Sequence, residues 1–185
     1  MIETVDTSAL TLDSAEKGTI RISFDSDKWL FWEQMNNLGI ALTETWEVEN
    51  AVNVQCLDNG EPGVSELTES HLEMILEGLS GVGDWVDIPV HELRTIEGKT
   101  VIYIETITSY TEEFLDYLVE SGEYTQEWMD ENRALLLAMP ETRQIQVYSL
   151  ADGHLISYVG TFYDDVYKQT VMEAITVAVQ TTEII

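Results

Sequence analysis

Basic residues are scarce in this sequence, and their scarcity is its most unusual feature. The 185 residues include 8 lysines and arginines against 35 aspartates and glutamates, a formal net charge of −27. A field of that sign repels phosphate groups, so nucleic acid and anionic membrane surfaces are not expected as partners. It favours a basic protein partner or divalent cations. A need for solubility or a salt-rich habitat would select the same acidic composition.

Cysteine is also nearly absent. A single cysteine excludes an internal disulfide framework and a CxxC metal site. Cys56 lies in the apolar run "AVNVQCL" with no basic neighbour to activate its thiol. The sequence therefore predicts a small buried hydrophobic residue at this position and not a nucleophile.

Long apolar segments are missing too. No run of 18 apolar residues occurs, so no membrane span is predicted. The start, "MIETVDTSALTLDSAEKG", lacks the basic and apolar regions of a signal peptide. We interpret residues 1–18 as a flexible acidic arm and residues 19–185 as a single domain. A chain from which a secretion signal has been removed would begin in the same way.

Alternation and helical periodicity predict the first half of that domain. "TIRISF" alternates from Thr19 to Phe24, which is typical of a half-buried strand, and "AVNVQCL" predicts another strand. For the Trp-rich segment between them we predict a loop or short helix, then a strand near Ala41 to Val48. Ser65 to Leu79 predicts a helix with an apolar stripe that includes Leu72, Ile75, Leu76 and Leu79.

Two hairpins with a helical insert near residues 110–140 between them are predicted next. Glu97-Gly98 and Asp152-Gly153 are each flanked by strand-like segments, which is a specific hairpin signal. Within the insert, Ser109 or Thr111 is positioned to cap one helix and Thr125 to cap a second. Gly122 is a natural end for the first of these helices.

The last predicted element is a helix from Asp164 or Asp165 to about Thr181. Carboxylates at a helix start accept hydrogen bonds from backbone N–H groups that have no other partner. This structural role accounts for the adjacent aspartates better than a catalytic site does. His154, which follows the Asp152-Gly153 turn, is likewise interpreted as a hairpin residue.

The order of these elements predicts an α/β fold of the α+β type, with a central antiparallel sheet flanked by helices. Here the chain resembles the PsbP-like family of α/β/α sandwiches. "GTIRISFDSDKW" is similar to that family's opening strand, and "DGHLISYVGTFYDDVYKQTVMEAITVAV" is similar to its closing strand and helix. The likeness covers roughly residues 18 to 182. It implies a non-enzymatic binding or accessory role, as in photosystem subunits, a Ran-binding nuclear protein and many secreted bacterial proteins.

From that resemblance we expect an extracytoplasmic or cell-surface bacterial protein that acts through protein–protein contact, with a cytoplasmic address as the alternative. No cofactor is expected. The opposing hypothesis is a metal-dependent enzyme or a calcium-binding protein. It would need His71, His91 and His154 to converge, as zinc ligands do, or clustered carboxylates. Asp25, Asp27 and the Asp58-Asn59-Gly60-Glu61 turn offer oxygen ligands for calcium, although no EF-hand spacing is present.

The most acidic run of the sequence has two interpretations. Thr111 to Glu131 contains eight acids and no base, and Glu112, Asp116 and Glu120 follow one another at i, i+4 spacing. A solvated helix face is the simpler interpretation, and a docking surface for a basic partner is the sharper one. The tryptophans could line a ligand cleft or belong to the core; they are Trp29, Trp32, Trp46, Trp85 and Trp128.

Overall fold

The structure is a computed structural model that describes residues 1–6, 10–13, 16–18, 20–34, 37–42, 50–57, 64–80 and 83–185. Within these ranges the strands are β1 (Ile2–Asp6), β2 (Leu10–Asp13), β3 (Glu16–Gly18), β4 (Ile20–Asp25), β5 (Trp29–Gln34), β6 (Asn37–Leu42), β7 (Ala51–Leu57), β8 (Val86–Ile96), β9 (Lys99–Thr108), β10 (Thr142–Ala151), β11 (His154–Phe162) and β12 (Glu183–Ile184). The helices are α1 (Glu69–Ser80), α2 (Glu112–Glu120), α3 (Gln126–Leu136) and α4 (Lys168–Thr181).

The strands pair in antiparallel sheets. The largest sheet has seven strands in the order β5-β6-β7-β11-β10-β9-β8, and a second has the order β1-β4-β12. A separate two-stranded hairpin joins β2 to β3. The predicted antiparallel sheet and mixed α+β composition are therefore confirmed.

Both predicted hairpins form around two-residue turns. Ile96 pairs with Lys99 across Glu97-Gly98, and Ala151 pairs with His154 across Asp152-Gly153. All four turn residues have positive φ, between 48° and 82°. Two consecutive residues of this kind define the type I′ turn, whose twist matches that of the flanking strands. The two dipeptides were therefore sufficient to predict the turns.

The seven-stranded sheet buries apolar side chains on both faces. Along β9, Val101 and Tyr103 enter the cluster that includes the buried seam of α4, whereas Ile102 and Ile104 enter the cluster that includes α1. Successive strand residues point to opposite faces, so this alternation places α4 and α1 on opposite sides of the sheet. The predicted α1 stripe is confirmed, because Leu72, Ile75, Leu76 and Leu79 all lie in the second cluster.

The helix α1 begins later than predicted, at Glu69 instead of Ser65. The backbone carbonyl of Thr68 accepts hydrogen bonds from the N–H groups of His71 and Leu72, and Thr68 bonds the His71 ring in turn. Leu67 is buried just before the helix, with 3% of its surface exposed. The apolar pattern therefore extends beyond the helix and does not mark where it starts.

Two N-terminal segments differ from the predictions. Residues 2–6, which we assigned to a flexible arm, form β1 and pair with β4; the domain boundary at residue 18 stays a prediction.

The predicted loop or short helix after Asp25 is wrong, because β5 and β6 form a hairpin there. On β5, exposure does not alternate: Trp29 is buried and Leu30 exposed, but Phe31 and Trp32 are both intermediate. The predicted strand to Val48 runs outside the described residues after Leu42.

The C-terminal helix is confirmed. Asp164 accepts a hydrogen bond from the Val166 N–H at 2.9 Å, a short 3-10 helix spans Asp165–Tyr167, and α4 follows. At Gly160 on β11 the helix approaches the sheet closely. A methyl group at Gly160 would lie 2.3 Å from Val171 Cγ1 and 2.9 Å from Ile175 Cδ1. Glycine is needed here for space, since its φ is not in the left-handed region.

Candidate interaction surface

The helices α2 and α3 form a hairpin whose ends were visible in the sequence. Thr111 accepts a hydrogen bond from the Phe114 N–H at 3.2 Å, and Thr125 accepts one from the Trp128 N–H at 3.3 Å. Gly122 follows the end of α2 with a φ of 80°. These caps satisfy backbone groups that a helix end leaves without partners. Thr111, Thr125 and Gly122 therefore have their predicted roles.

The hairpin has a small core of its own. Leu115, Leu118 and Met129 are buried between the two helices, separately from the clusters on the faces of the large sheet. Among the described elements, α2 and α3 pack chiefly against each other. The hairpin is therefore an appendage between β9 and β10 rather than a layer of the main core.

A group of aromatic rings joins this hairpin to the start of β8. The Trp85 ring lies 5.7 Å from Phe114 and 5.3 Å from Tyr117, measured between centroids. Tyr110 also contacts Phe114, at 5.7 Å. Trp85 covers Gly83, whose φ of +132° suits glycine. Aromatic packing therefore fixes the hairpin at its junction, while Tyr117 remains 39% exposed.

The three acids predicted to bind a partner are not equivalent. The Arg133 guanidinium forms an ion pair with Glu112 and, at 2.6 Å, with Asp116. Hydrogen bonds to Asp116 and Glu112 raise the pKa of Arg133 above its ordinary value. Glu120 is exposed and has no ion pair or side-chain hydrogen bond within the described chain. Arg133 was missed from the sequence because it lies just beyond the acidic run, which ends at Glu131.

The tip of the hairpin is exposed throughout. Every residue from Glu120 to Trp128 is exposed. Tyr124 and Trp128 stack with their centroids 4.4 Å apart at 20°, and they remain 40% and 38% exposed. The stacking was not predicted, because Tyr124 precedes the N-cap Thr125 and helical spacing does not relate it to Trp128.

Several basic side chains elsewhere in the described ranges are already engaged. Arg21 bonds Asp6 at 2.7 Å, Arg143 bonds Asp165 at 3.2 Å and Arg94 pairs with Glu92. Lys99 donates to the Val179 carbonyl at 2.7 Å near the end of α4. Over the ranges that the structure describes, these contacts leave many surface carboxylates without a basic partner, and with a net charge of −27 the outward field is negative.

The polar network beside α4 ties that helix to the sheet. Glu105 accepts hydrogen bonds from the Tyr103 hydroxyl at 2.6 Å and from Lys168 Nζ at 2.7 Å. Burial raises the pKa of Glu105, but the bonds from Lys168 and Tyr103 oppose it and leave the pKa below its ordinary value. Burial, followed by the bond to Glu105, raises the pKa of Tyr103. Arg94 lies over the Tyr103 ring, 3.5 Å from its centroid.

The histidines do not assemble the metal site that the alternative hypothesis required. His71 bonds Thr68 at the start of α1, His91 lies on the edge strand β8, and His154 begins β11. The three residues thus lie on three different elements. In the part of the chain that the structure covers, no group of three or more His, Cys, Asp or Glu side chains could hold a metal ion.

The predicted calcium ligands are only partly described. Asp25 and Asp27 both bond the Met1 amino group, the former at 2.7 Å. The Asp58-Asn59-Gly60-Glu61 turn lies outside the described residues. Calcium binding stays a prediction, and a rise in melting temperature with micromolar CaCl2 but not with MgCl2 would support it.

The tryptophans have separate places. Trp29 is a core residue with 2% exposure, and Trp32 lies over Gly39 in the β5–β6 hairpin. Trp85 and Trp128 belong to the α2–α3 region, and Trp46 lies outside the described residues.

Cys56 is half-buried against the main core. Over the described ranges, no helix has the length and apolar character needed to cross a membrane.

Comparison with known proteins identifies the class of fold. No protein-family model matches the sequence, and no curated protein matches it. Among solved structures, the chain is similar to PsbP (CyanoP) from the cyanobacterium Synechocystis sp. PCC 6803. The identity is 8%, the TM-score is 0.50, and the match covers 100% of this chain and 92% of that one. The chain therefore has a PsbP-like fold, as the resemblance implied.

A second similar structure is LpqN from Mycobacterium tuberculosis, described as involved in cell envelope biogenesis. Its identity to this chain is 12% and the TM-score is 0.48, with 99% of this chain and 91% of that chain covered.

Proposed function

We propose that this protein is a non-enzymatic binding or accessory domain that docks a basic protein segment on its α2–α3 hairpin. The observation that carries the proposal is the hairpin tip, which combines exposed stacked aromatic rings with carboxylates that have no basic partner among the described residues. Aromatic residues concentrate binding energy at protein interfaces. Complementary charge speeds association and fixes orientation.

The hairpin is suited to this role because it stands apart from the main core. Its inner side is occupied by its own apolar cluster, so the outer side can meet a partner without disturbing the sheet. Thr111 and Thr125 fix the helix starts, and the Trp85 ring fixes the junction. A surface held in this way is preorganised, which lowers the entropy cost of binding.

The architecture and cellular address are parts of the same proposal. Apolar clusters on the two faces of the large sheet support an α/β/α sandwich. The resemblance to the PsbP-like family, which includes many secreted bacterial proteins, supports an extracytoplasmic or cell-surface address. Fractionating the source cells with an antibody against this chain tests the address, and recovery in the cytoplasm alone would contradict it.

A charge-reversal experiment tests the docking surface. The triple variant Glu112→Lys, Asp116→Lys, Glu120→Lys is compared with a matched control, Glu69→Lys, Glu73→Lys, Glu77→Lys. Both sets lie on exposed helix faces at i, i+4 spacing, and both begin in the first turn of their helix. The two variants therefore change the net charge equally. The hairpin variant also breaks the ion pairs of Glu112 and Asp116 with Arg133.

The probe is a fluorescein-labelled decalysine peptide, with binding measured by fluorescence anisotropy at fixed ionic strength. We expect the hairpin variant to weaken binding by at least about tenfold and the α1 variant to weaken it much less. Equal losses in the two variants would contradict the proposal, because binding would then follow net charge alone. Circular dichroism melts check that both variants fold.

A further inference from the structure

The tip of the hairpin combines exposed aromatic rings with exposed carboxylates. Given the proposed function, we infer that the surface formed by Tyr124, Glu127, Trp128 and Glu131 recognises arginine side chains of the partner in preference to lysine. We call this surface the tip site. All four residues are exposed.

The aromatic half of the tip site consists of the Tyr124 and Trp128 rings. Tyr124 precedes the N-cap of α3 and Trp128 lies in its first turn, and the two rings stack with 4.4 Å between centroids, which holds both in place. Roughly two fifths of each residue stays exposed, at 40% and 38%. Such rings attract a cation placed over a free face, and tryptophan does so most strongly.

The acidic half of the tip site borders the rings. Glu131 is three residues after Trp128, so the two side chains share one helix face, and Glu127 lies one turn before Glu131. Neither glutamate forms an ion pair within the described chain, since the Arg133 guanidinium bonds Glu112 and Asp116 instead. The tip site therefore has carboxylates free to meet an incoming cation.

Arginine fits this pairing of ring and carboxylate better than lysine does. Its planar guanidinium stacks on an aromatic face while its N–H groups bond a carboxylate at the edge, and it is less strongly hydrated than an ammonium group. Lysine has a compact charge that can satisfy the carboxylate but does not stack.

The same arrangement occurs complete beside α4, where all its parts belong to this chain. Arg94 lies 3.5 Å from the centroid of the Tyr103 ring. Its Nε bonds Glu92, while the Tyr103 hydroxyl bonds Glu105. The tip site has the same two parts, aromatic rings and carboxylates. Within the described chain, no arginine lies over these rings. Charge complementarity therefore favours an arginine from a partner.

Two peptides of equal charge test the preference. Fluorescein-labelled decaarginine and decalysine are titrated against the full chain and against Trp128→Ala. The control is Leu135→Ala, another exposed α3 residue, which is 67% exposed. We expect the wild type and the control to bind decaarginine about five to ten times more tightly than decalysine. In Trp128→Ala this ratio should fall towards one, while weaker salt-dependent binding of both peptides persists.

The outcomes separate this inference from the proposed function. The affinity for decaarginine relative to decalysine could be unchanged in Trp128→Ala, or near one in the wild type. Either result would overturn the arginine preference of the tip site but not the proposed docking surface. Failure of the wild type to bind either peptide would overturn both. Melting curves of the two variants, expected to agree with the wild type within a few degrees, show that the fold is retained.

Discussion

The main body of this protein and its α2–α3 hairpin contain the same kinds of residues in opposite settings. In the body, Tyr103 is buried beneath Arg94, and Glu105 bonds Lys168, so ring and charge hold α4 against the sheet. On the hairpin, Tyr124 and Trp128 stack in solvent. Polar and aromatic side chains that bond or pack against other groups of the same chain stabilise the fold, whereas exposed ones are available to bind another molecule. This contrast is the basis on which we propose scaffolding for the body and binding for the hairpin.

Truncating one apolar side chain in the main body and one on the hairpin should give the largest difference in stability between the two regions. Ile175 is fully buried in α4 with 0% exposure, whereas Leu135 on α3 is 67% exposed. We expect Ile175→Ala to lower the free energy of unfolding by about 2–5 kcal/mol and Leu135→Ala to change it by less than about 0.5 kcal/mol. Urea denaturation measures both. Similar losses would contradict the assignment of the core to the body.

Filling the close approach at Gly160 should have the next largest effect. A Cβ at this position would meet Val171 and Ile175 at under 3 Å, so we expect Gly160→Ala to cost about 1–3 kcal/mol. Gly78 in α1 is the matched control, because a Cβ there meets nothing within 4 Å. Gly78→Ala should stabilise the protein by about 0.5–1 kcal/mol through helix propensity. Thermal melts of both variants test the pair, and a neutral Gly160→Ala would show that α4 can shift away.

Acid should weaken the link between Glu105 and α4. Since the pKa of Glu105 is lowered in the folded state, its contribution is present above the unfolded value, about 4.3, and is lost as the pH falls through the folded value. We expect Glu105→Gln to cost about 1 kcal/mol at pH 7. The difference from the wild type should shrink below about pH 4. Urea denaturation across pH measures it, and a difference that is constant with pH would contradict the ionic role.

Removing Arg133 should sharpen the comparison between the main body and the hairpin. Of these substitutions, we expect it to alter stability least. Arg133→Gln releases Glu112 and Asp116 from their ion pairs, so the hairpin becomes more negative. We expect tighter binding of decalysine and little change in the melting temperature, because exposed ion pairs contribute little to stability. Weaker binding would mean that Arg133 positions the carboxylates that the peptide contacts.

The sequence predicted local features well where one residue type determines the geometry. Glu97-Gly98 and Asp152-Gly153 specified type I′ turns, and Thr111, Thr125 and Asp164 capped helices as expected. These features depend on backbone conformation and on hydrogen bonds between neighbours in sequence, so a short window contains the needed information.

Features that depend on contacts between distant residues were harder to predict. The β5–β6 hairpin is local but was also missed, because exposure does not alternate along β5, where Phe31 and Trp32 are both intermediate. The Arg133 ion pairs join residues 17 and 21 apart in sequence. The distinction between Glu112 and Asp116, which are paired, and Glu120, which is not, therefore required the structure.

The most direct test of the assignment of binding to the hairpin is to map a bound peptide by NMR. Backbone amide shifts of the labelled protein would be followed during titration with decaarginine at fixed ionic strength. We predict that the largest shifts fall between residues 112 and 136 and at the junction around Trp85. Shifts of equal size along α1, where exposed glutamates also follow one another at i, i+4 spacing, would contradict this assignment and would show that the attraction is nonspecific.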